Sequence, residues 1–342
     1  MTAAAKTDAR DLTALNWLVT GGCGFIGRSL IAELMARGVP MGRIRVLDNL
    51  AVGSIADLEE LAPALTDADW SETASGIGLL VGDILDADRA AAAARGADIL
   101  VHLAACTGVP GSVENPMFDC RTNVVGTLNC LEAARHGGAR RFVFASSGAP
   151  LGLVDPPIHE KVVPRPISPY GASKLAGEAY CSAYHHCFGV EAVALRFGNV
   201  YGPLSTHKNS VVAKFIRRAL AGETLEIYGD GHATRDYIFA SDIADAVIRA
   251  ATTAGAGGEV FQIATARETT VLEIAERLKA VLAARGIAGV EIAFSPPRQG
   301  DMPRNYSDTT KARQMLGWQS RMTLDEGLAV TADAFLARRA AS

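Results

Sequence analysis

The strongest constraint on the fold of this 342-residue chain is a short apolar strand, Trp17–Thr20, that runs straight into Thr20-Gly21-Gly22-Cys23-Gly24-Phe25-Ile26-Gly27 and then into a helical pattern. The spacing of Ile26, Leu30, Ile31 and Leu34 predicts an amphipathic helix ending at Gly38 and Pro40. Glycines between a strand and a helix let the backbone turn tightly, and they bring free N–H groups and the positive helix end against an anion. An ordinary strand-to-helix turn is the competing reading. Asp48 closes the next strand about twenty residues on, as a dinucleotide-binding unit requires. There its carboxylate suits the adenosine ribose hydroxyls and repels a 2′-phosphate, favouring NAD over NADP, unless Asp48 is only a turn residue. Asp83, in Gly82-Asp83-Ile84, either touches adenine or caps the following helix.

Short apolar runs continue at Ile44–Leu47, Gly78–Val81, Ile99–His102, Phe142–Ala145 and Ala192–Arg196, alternating with helical segments. This predicts an α/β fold, a Rossmann-type doubly wound parallel sheet. After Pro203 the rhythm changes, with helices expected at Val211–Ala221, Ser241–Thr252, Val271–Ala284 and Leu324–Arg338. The expected organisation is a disordered tail over 1–14, an NAD-binding domain carrying the catalytic residues over 15–198, and a mainly substrate-binding lobe over 199–342. Some segments of that lobe are expected to return to the first domain.

Composition narrows the function. With 33 basic against 37 acidic side chains and 49% hydrophobic residues, the chain lacks the basic bias of a nucleic-acid binder and the low hydrophobicity of a disordered chain. No apolar run suggests a signal peptide or a membrane span, so a cytoplasmic protein is expected. The six cysteines show no CxxC spacing, which predicts reduced, mostly buried thiols without disulfides. Cys181, His185, His186 and Cys187 read as a helix face rather than a metal site, and no metal is expected.

Tyr170-Gly171-Ala172-Ser173-Lys174 puts a phenol and an ammonium four residues apart on a helix begun by Pro169. A cation beside the phenol would lower its pKa and make Tyr170 a general base, although this spacing also occurs on ordinary amphipathic helices. Ser146 and Ser147 end the fifth strand, where a hydroxyl orients a substrate oxygen or makes a turn bond.

Together these pieces resemble the extended short-chain dehydrogenase/reductase family, and within it the UDP-galactose 4-epimerase-like nucleotide-sugar enzymes. The motifs include Asp48-Asn49-Leu50, His102-Leu103-Ala104-Ala105, Asn123-Val124-Val125-Gly126-Thr127, Ser168-Pro169-Tyr170-Gly171, Arg196-Phe197-Gly198-Asn199-Val200-Tyr201-Gly202-Pro203, Arg235-Asp236-Tyr237 and Arg298-Gln299-Gly300-Asp301. The resemblance implies 4-epimerisation of a UDP-hexose through a 4-keto sugar. Tyr170 would be the base, Lys174 would tune it and hold the nicotinamide ribose, and Ser147 would bond the same sugar oxygen. NAD would be held by Gly21, Gly24, Phe25, Ile26, Gly27, Asp48, Asn49, Asp83, Ile84, Leu103, Ala104, Ala105, Asn123, Ser146, Tyr170 and Lys174. The UDP-sugar would meet Ser147, Asn199, Arg235, Arg298 and Asp301; Arg235–Asp236 and Arg298–Asp301 could instead be surface ion pairs. Tyr228 would wall the uracil or be a plain strand residue.

Two departures refine the expectation. Gly148-Ala149 follow Ser147 where 4,6-dehydratases carry an Asp-Glu pair, and Leu204-Ser205-Thr206 follow the Tyr-Gly-Pro motif where uronate enzymes carry basic residues. A neutral hexose or N-acetylhexosamine is favoured, with Asn305 as a small gate beside the sugar's 2-substituent. A reductase or dehydratase of the same fold, or a silent NAD-binding protein, is the alternative. By the same resemblance, helices Pro116–Arg135 and Pro169–Phe188 would pair across a two-fold axis in a homodimer. Leu128, Leu131, Leu175, Tyr180 and Tyr184 are the apolar candidates there, unless they face the sheet.

Overall fold

The computed structural model describes residues 11–68, 73–297 and 303–341. Chain order gives β1 (Trp17–Thr20), α1 (Phe25–Ala36), β2 (Ile44–Asp48), α2 (Ile55–Glu59), β3 (Ala64–Thr66), β4 (Ile77–Val81), α3 (Ala87–Ala94) and β5 (Ile99–His102). Next come α4 (Val109–Glu114), α5 (Pro116–Cys120), a π turn (Arg121–Val125), α6 (Gly126–Gly137), β6 (Arg141–Ser147), α7 (Pro169–Phe188), β7 (Glu191–Phe197), β8 (Asn199–Tyr201) and α8 (Val211–Leu220). The chain closes with β9 (Leu225–Tyr228), β10 (Thr234–Arg235), β11 (Tyr237–Phe239), α9 (Ala240–Thr252), β12 (Val260–Ile263), β13 (Thr269–Thr270), α10 (Val271–Ala283), β14 (Ile292–Ser295), α11 (Thr310–Leu316) and α12 (Leu324–Ala341).

Eight strands form one sheet in the order β12-β7-β6-β5-β1-β2-β4-β3, and every neighbouring pair runs parallel. Both faces are covered, so the central strands read as unbroken apolar runs rather than alternating ones. α1 and α9 supply Leu30, Ile31, Leu34, Ile243 and Val247 to one face, while α3, α6 and α7 supply Ala93, Leu131, Ala134 and Cys181 to the other. The strand order reverses between β1 and β5, which opens a crevice at their carboxyl ends.

A third core gathers Phe215 and Ile216 from α8, Ile227 from β9, Leu278 and Leu282 from α10, and Leu328 and Phe335 from α12 into a smaller lobe. The lobe is not a separate continuous stretch. β12 pairs with β7, Val260 opposite Ala194, and α9 packs on α1 in the main core. The turn Leu12–Ala14 is a 3-10 helix and Leu15 is buried, so the ordered chain begins before Leu15. Residues 1–10 of the expected tail lie outside the described residues.

Helix ends follow local chemistry. Ser168 caps α7 by accepting from the Gly171 N–H at 3.1 Å, Pro169 opens its first turn, and Gly189 ends it at φ +70°. The expected helix over 116–135 is instead two helices joined by the π turn, because Asn123 turns its amide inward to bond Cys106, Asp119 and Ser173. The expectation of buried thiols holds for Cys23, Cys130 and Cys181 but not for Cys120 and Cys187, which are exposed on α5 and α7. None of the six is in a disulfide. Among the described residues no helix is long and apolar enough to cross a membrane.

α7 sits so close to β6 that a Cβ on Gly177 would lie 2.3 Å from the Phe144 ring. Gly177→Ala should therefore lift α7 off the sheet and destabilise the fold by about 1–3 kcal/mol, as overpacking does. Urea unfolding measures this, and an unchanged midpoint would contradict the contact.

Candidate active site

The glycine loop lies at the crevice. Gly21 adopts φ +71°, and a Cβ there would be 2.8 Å from the backbone nitrogen of Ala104; a Cβ on Gly27 would be 2.4 Å from the Gly21 carbonyl oxygen. Only glycine lets the loop fold this tightly against the segment after β5. Gly24 precedes α1 with no side-chain cap, so the helix presents its first N–H groups from behind Phe25 and Ile26. This bare, turned backbone with a helix dipole behind it fits a pyrophosphate.

Asp48, buried at the end of β2, accepts from the Cys23 N–H at 2.9 Å and the Leu50 N–H at 2.8 Å. Burial raises its pKa, and the two backbone bonds oppose that rise. Each carboxylate oxygen retains a lone pair, so Asp48 can hold the loop and still accept from ribose hydroxyls. Asp83 accepts from Asn49 Nδ2 and from the Leu85 N–H, both at 2.9 Å. It does not cap the next helix, because Asp86 fills that role by accepting from the Arg89 N–H. Ile84 is buried beneath it, against Gly126. Asp48, Asn49, Asp83, Leu103, Ala104 and Ala105 thus end or follow three strands of the sheet, all at its carboxyl edge.

Asn123 is buried and its amide is fully used. Its oxygen accepts from the Cys106 N–H at 2.8 Å, while Nδ2 shares its two protons among the Cys106 carbonyl, Asp119 and Ser173 Oγ, at 2.9–3.1 Å. It shapes the wall of the site more than it reaches into it. Ser146 differs from the expectation more sharply. β6 extends through Ser147, so its two serines point to opposite faces of the sheet. Ser146 Oγ donates to Glu178 Oε1 at 2.5 Å, and Arg196 grips the same carboxylate with two bonds of 2.8 and 2.6 Å. This buried trio lies beside the site. It was missed in the sequence, although Tyr170, Lys174 and Glu178 follow the i, i+4, i+8 spacing of one helix face.

Ser147 faces the other way, with its hydroxyl beside the Tyr170 phenol, where it favours ionisation. Its Oγ also accepts from the Ala149 N–H at 3.1 Å, which fixes the hydroxyl. Lys174, on the next turn, is fully buried and donates to the Ala145 carbonyl at 2.9 Å, with its ammonium 4.9 Å from the Phe144 ring centre. Burial brings the Lys174 pKa down to about 8, against an opposing pull from the buried Asp119 carboxylate. The expectation that Lys174 lowers the Tyr170 pKa is not met: burial raises it, the Ser147 hydroxyl opposes the rise, and Asp119 adds to it. The cause is the burial of the phenol itself, while the ammonium donates to the Ala145 carbonyl of β6.

The segment after Ser147 forms a 3-10 turn, Ala149–Leu151, with Pro150 and Leu151 buried. It seats against α7, where a Cβ on Gly171 would be 2.6 Å from the Ala149 carbonyl oxygen. A Cβ on Gly148 would meet Asn305 Nδ2 at 3.9 Å and nothing nearer, so Gly148 and Asn305 lie side by side next to Ser147. The Asn305 N–H donates to Thr234 Oγ at 3.3 Å, and Arg235 Nη1 donates to the Thr234 carbonyl at 2.7 Å, so both are tied to Thr234. Asp236 is not its surface partner, because it is buried and accepts from Thr265 and Ser307. Asn199 is exposed just past the end of β7. The Tyr228 hydroxyl donates to Glu226 at 2.8 Å. Arg298 and Asp301 lie outside the described residues. Among the described residues no cluster of His, Cys, Asp and Glu could hold a metal ion.

The comparisons agree with this geometry. Residues 17–264 match the model of the NAD dependent epimerase/dehydratase family. The chain is 38% identical to the UDP-glucose 4-epimerase of Mycolicibacterium smegmatis over 323 residues, 93% of this chain and 97% of that protein. It superposes with TM-score 0.83 and 32% identity on the UDP-glucose 4-epimerase of Thermotoga maritima solved with UDP-glucose, covering 96% of this chain and 100% of that one. It superposes equally well, TM-score 0.83 at 31% identity, on the dTDP-glucose 4,6-dehydratase of Streptomyces venezuelae solved with NAD, covering 95% and 98%. A parallel eight-stranded sheet, a glycine loop at its switch point and a Ser-Tyr-Lys set at its carboxyl edge, together with these matches, place the chain in the NAD dependent epimerase/dehydratase family, whose cofactor is NAD.

Proposed function

We propose that the protein is a UDP-hexose 4-epimerase, acting on UDP-glucose/UDP-galactose and, through the small Asn305, on the N-acetylhexosamine pair as well. The observation that carries this reading is the Ser147 hydroxyl beside the Tyr170 phenol at the end of β6, with Gly148 and Asn305 next to it and no carboxylate following Ser147. A dehydratase needs acid and base groups for the loss of water, and Gly148-Ala149 supply neither. When bound, NAD supplies a hydride acceptor that returns the hydride within the same turnover.

The residues of the chain divide the remaining work. Ser147 and Tyr170 bracket the sugar 4-hydroxyl, and Tyr170 takes its proton and later returns it. Lys174, charged below about pH 8, holds the nicotinamide ribose. Gly21, Gly24 and Gly27, with Asp48, hold the cofactor's diphosphate and ribose; Asn49, Asp83, Ile84, Leu103, Ala104 and Ala105 line its adenine and nicotinamide path. Arg235 and Arg298 flank the substrate diphosphate, with Asn199, and Asp301 meets the ribose. Tyr228 walls the base.

Oligomerisation follows the exposed apolar surface. Leu131 and Tyr184 belong to the core against the sheet, so they are not the contact residues. Val113, Met117 and Phe118, at 56–69% exposed, and Val125, Tyr180 and Phe188 present an apolar face on α4, α5, the π turn and α7. A second copy docking there across a two-fold axis gives a homodimer. Light scattering at micromolar concentration should report twice the chain mass, and Phe118→Glu should report one; a wild-type monomer would refute the dimer.

Proton NMR with UDP-glucose, UDP-N-acetylglucosamine and UDP-glucuronate in separate tubes should show 4-epimer anomeric signals in the first two. Appearance of a 4-keto-6-deoxy sugar would replace this reading with a dehydratase. Tyr170→Phe should keep the fold and NAD while cutting turnover by about 10²–10⁴-fold. Asn305→Tyr should abolish only the N-acetylhexosamine activity; equal loss of both would remove the gate.

Lys174 allows a stability test with a definite sign. Its folded pKa of about 8 lies below its ordinary value of 10.5, so the unfolded chain binds more protons between those values and stability rises with pH across that window. Below it the buried ammonium costs about 3 kcal/mol. Lys174→Met should therefore raise Tm at pH 7, by an amount that shrinks toward pH 10, while turnover collapses. A variant less stable at pH 7 than at pH 10, relative to wild type, would reverse the sign.

A further inference from the structure

His102 ends β5, is 1% exposed, and stands in none of the roles above. Phe142 and Phe144 flank its ring with centroids 5.8 and 6.0 Å away. Nδ1 is 2.8 Å from Thr20 Oγ, and Nε2 is 3.0 Å from Thr127 Oγ. Burial, and secondarily the Lys174 ammonium, hold its pKa down at about 3, so the ring is neutral and carries one proton. Neighbouring hydroxyls decide which nitrogen bears it. Thr127 donates to the Asn123 carbonyl at 2.6 Å, so its single proton is committed and it accepts from Nε2–H. Thr20 is fully buried and already accepts from the Ala104 N–H at 3.3 Å, so its proton goes to Nδ1. The opposite tautomer would strand the Thr20 proton without an acceptor and break the 2.6 Å bond, at the price of an unpaired buried group.

The chain continues beyond Asn123. Asn123 Nδ2 donates to Ser173 Oγ at 3.1 Å, and Ser173 Oγ donates to the Tyr170 carbonyl at 3.1 Å. Every donation from Ala104 through Thr20, His102, Thr127, Asn123 and Ser173 to Tyr170 therefore runs the same way. One end lies against the glycine loop, since Thr20 precedes Gly21, whose Cβ position meets Ala104. The other end is the backbone of the tyrosine that faces the substrate.

We infer that Thr20, His102 and Thr127 are positioning residues, a one-way hydrogen-bonded strap that sets the distance between the cofactor loop and the Tyr170 turn of α7. His102 serves as a fixed Nε2–H linker that neither titrates nor exchanges protons with substrate. Directional chains of this kind polarise each bond in turn and stiffen the geometry they span. The kinetic half of the test rests on the epimerase reading; the spectroscopic half does not.

Nitrogen-15 NMR of the NAD-loaded protein labelled at histidine should show His102 as the neutral Nε2–H form, unchanged between about pH 5 and pH 8. An Nδ1–H signal, or titration near the ordinary histidine value, would overturn the strap whatever the enzyme's substrate. Thr127→Val keeps the shape and removes the hydroxyl, and Thr127→Ser keeps the hydroxyl. Turnover should fall about tenfold in the first and less than about twofold in the second, with KM for the UDP-sugar unchanged and NAD retained in both. Equal losses in the two variants, or losses that track Tm, would show a packing role only. If wild type epimerises no UDP-hexose, the epimerase reading fails and the NMR result still decides the strap.

Discussion

The closeness of α7 to β6 governs the rest of this molecule. A hydrogen atom at position 177 lets the helix lie directly on the Phe144 ring, and that approach sets where one face of the helix points. Tyr170 meets Ser147 at the sheet's edge, Lys174 reaches the Ala145 carbonyl, and Glu178 locks to Ser146 and Arg196. Three successive turns thus engage β6 through three different polar contacts. Pro150 and Leu151 are buried in the 3-10 turn that packs against α7 and keep its start seated.

The electrostatics of the site are those of a buried cavity rather than a tuned acid–base pair. Desolvation acts on both groups in opposite directions, raising the phenol and lowering the ammonium. Asp119, 2% exposed with one oxygen on Asn123, partly restores the charge of Lys174 while making phenolate harder to form. The positive charge that bound NAD would bring therefore alters a balance that the protein alone leaves on the side of neutral tyrosine. Ser147 is the polar neighbour that favours ionisation of the phenol, which explains why a hydroxyl at that strand end matters.

Much of the fold was legible in the sequence because a covered parallel sheet writes continuous apolar runs. Trp17–Thr20 and Ile99–His102 fall within the bounds expected from the sequence, as does α7 over Pro169–Phe188. The glycine loop was legible because only tight backbone turns demand three glycines at that spacing. What escaped was decided by direction. Nothing in Ser146-Ser147 says which serine looks into the crevice until β6 is known to run through both. Nor does Asn123-Val124-Val125 announce a π turn, since that turn exists to let the Asn123 amide meet Cys106 and Ser173. The Tyr-Lys spacing gave proximity along a helix and not the burial that raises the phenol's pKa. β12 was missed for a plainer reason: Val260–Ile263 is four residues long and belongs to a strand partner more than sixty residues earlier.

That late strand has a consequence for how the molecule is made and how it moves. The eight-stranded sheet is closed at one edge by residues that follow α8, β9 and β11 in the chain, and α9 is clamped on α1 just before them. A chain emerging from the ribosome therefore exposes the β7 edge until residue 263 has been synthesised, long after the cofactor loop has formed. Once folded, the smaller lobe is sewn to the sheet at several crossings rather than hung from one linker. Relative motion of the two lobes is accordingly a matter of sliding packed helices, not of swinging about a single hinge.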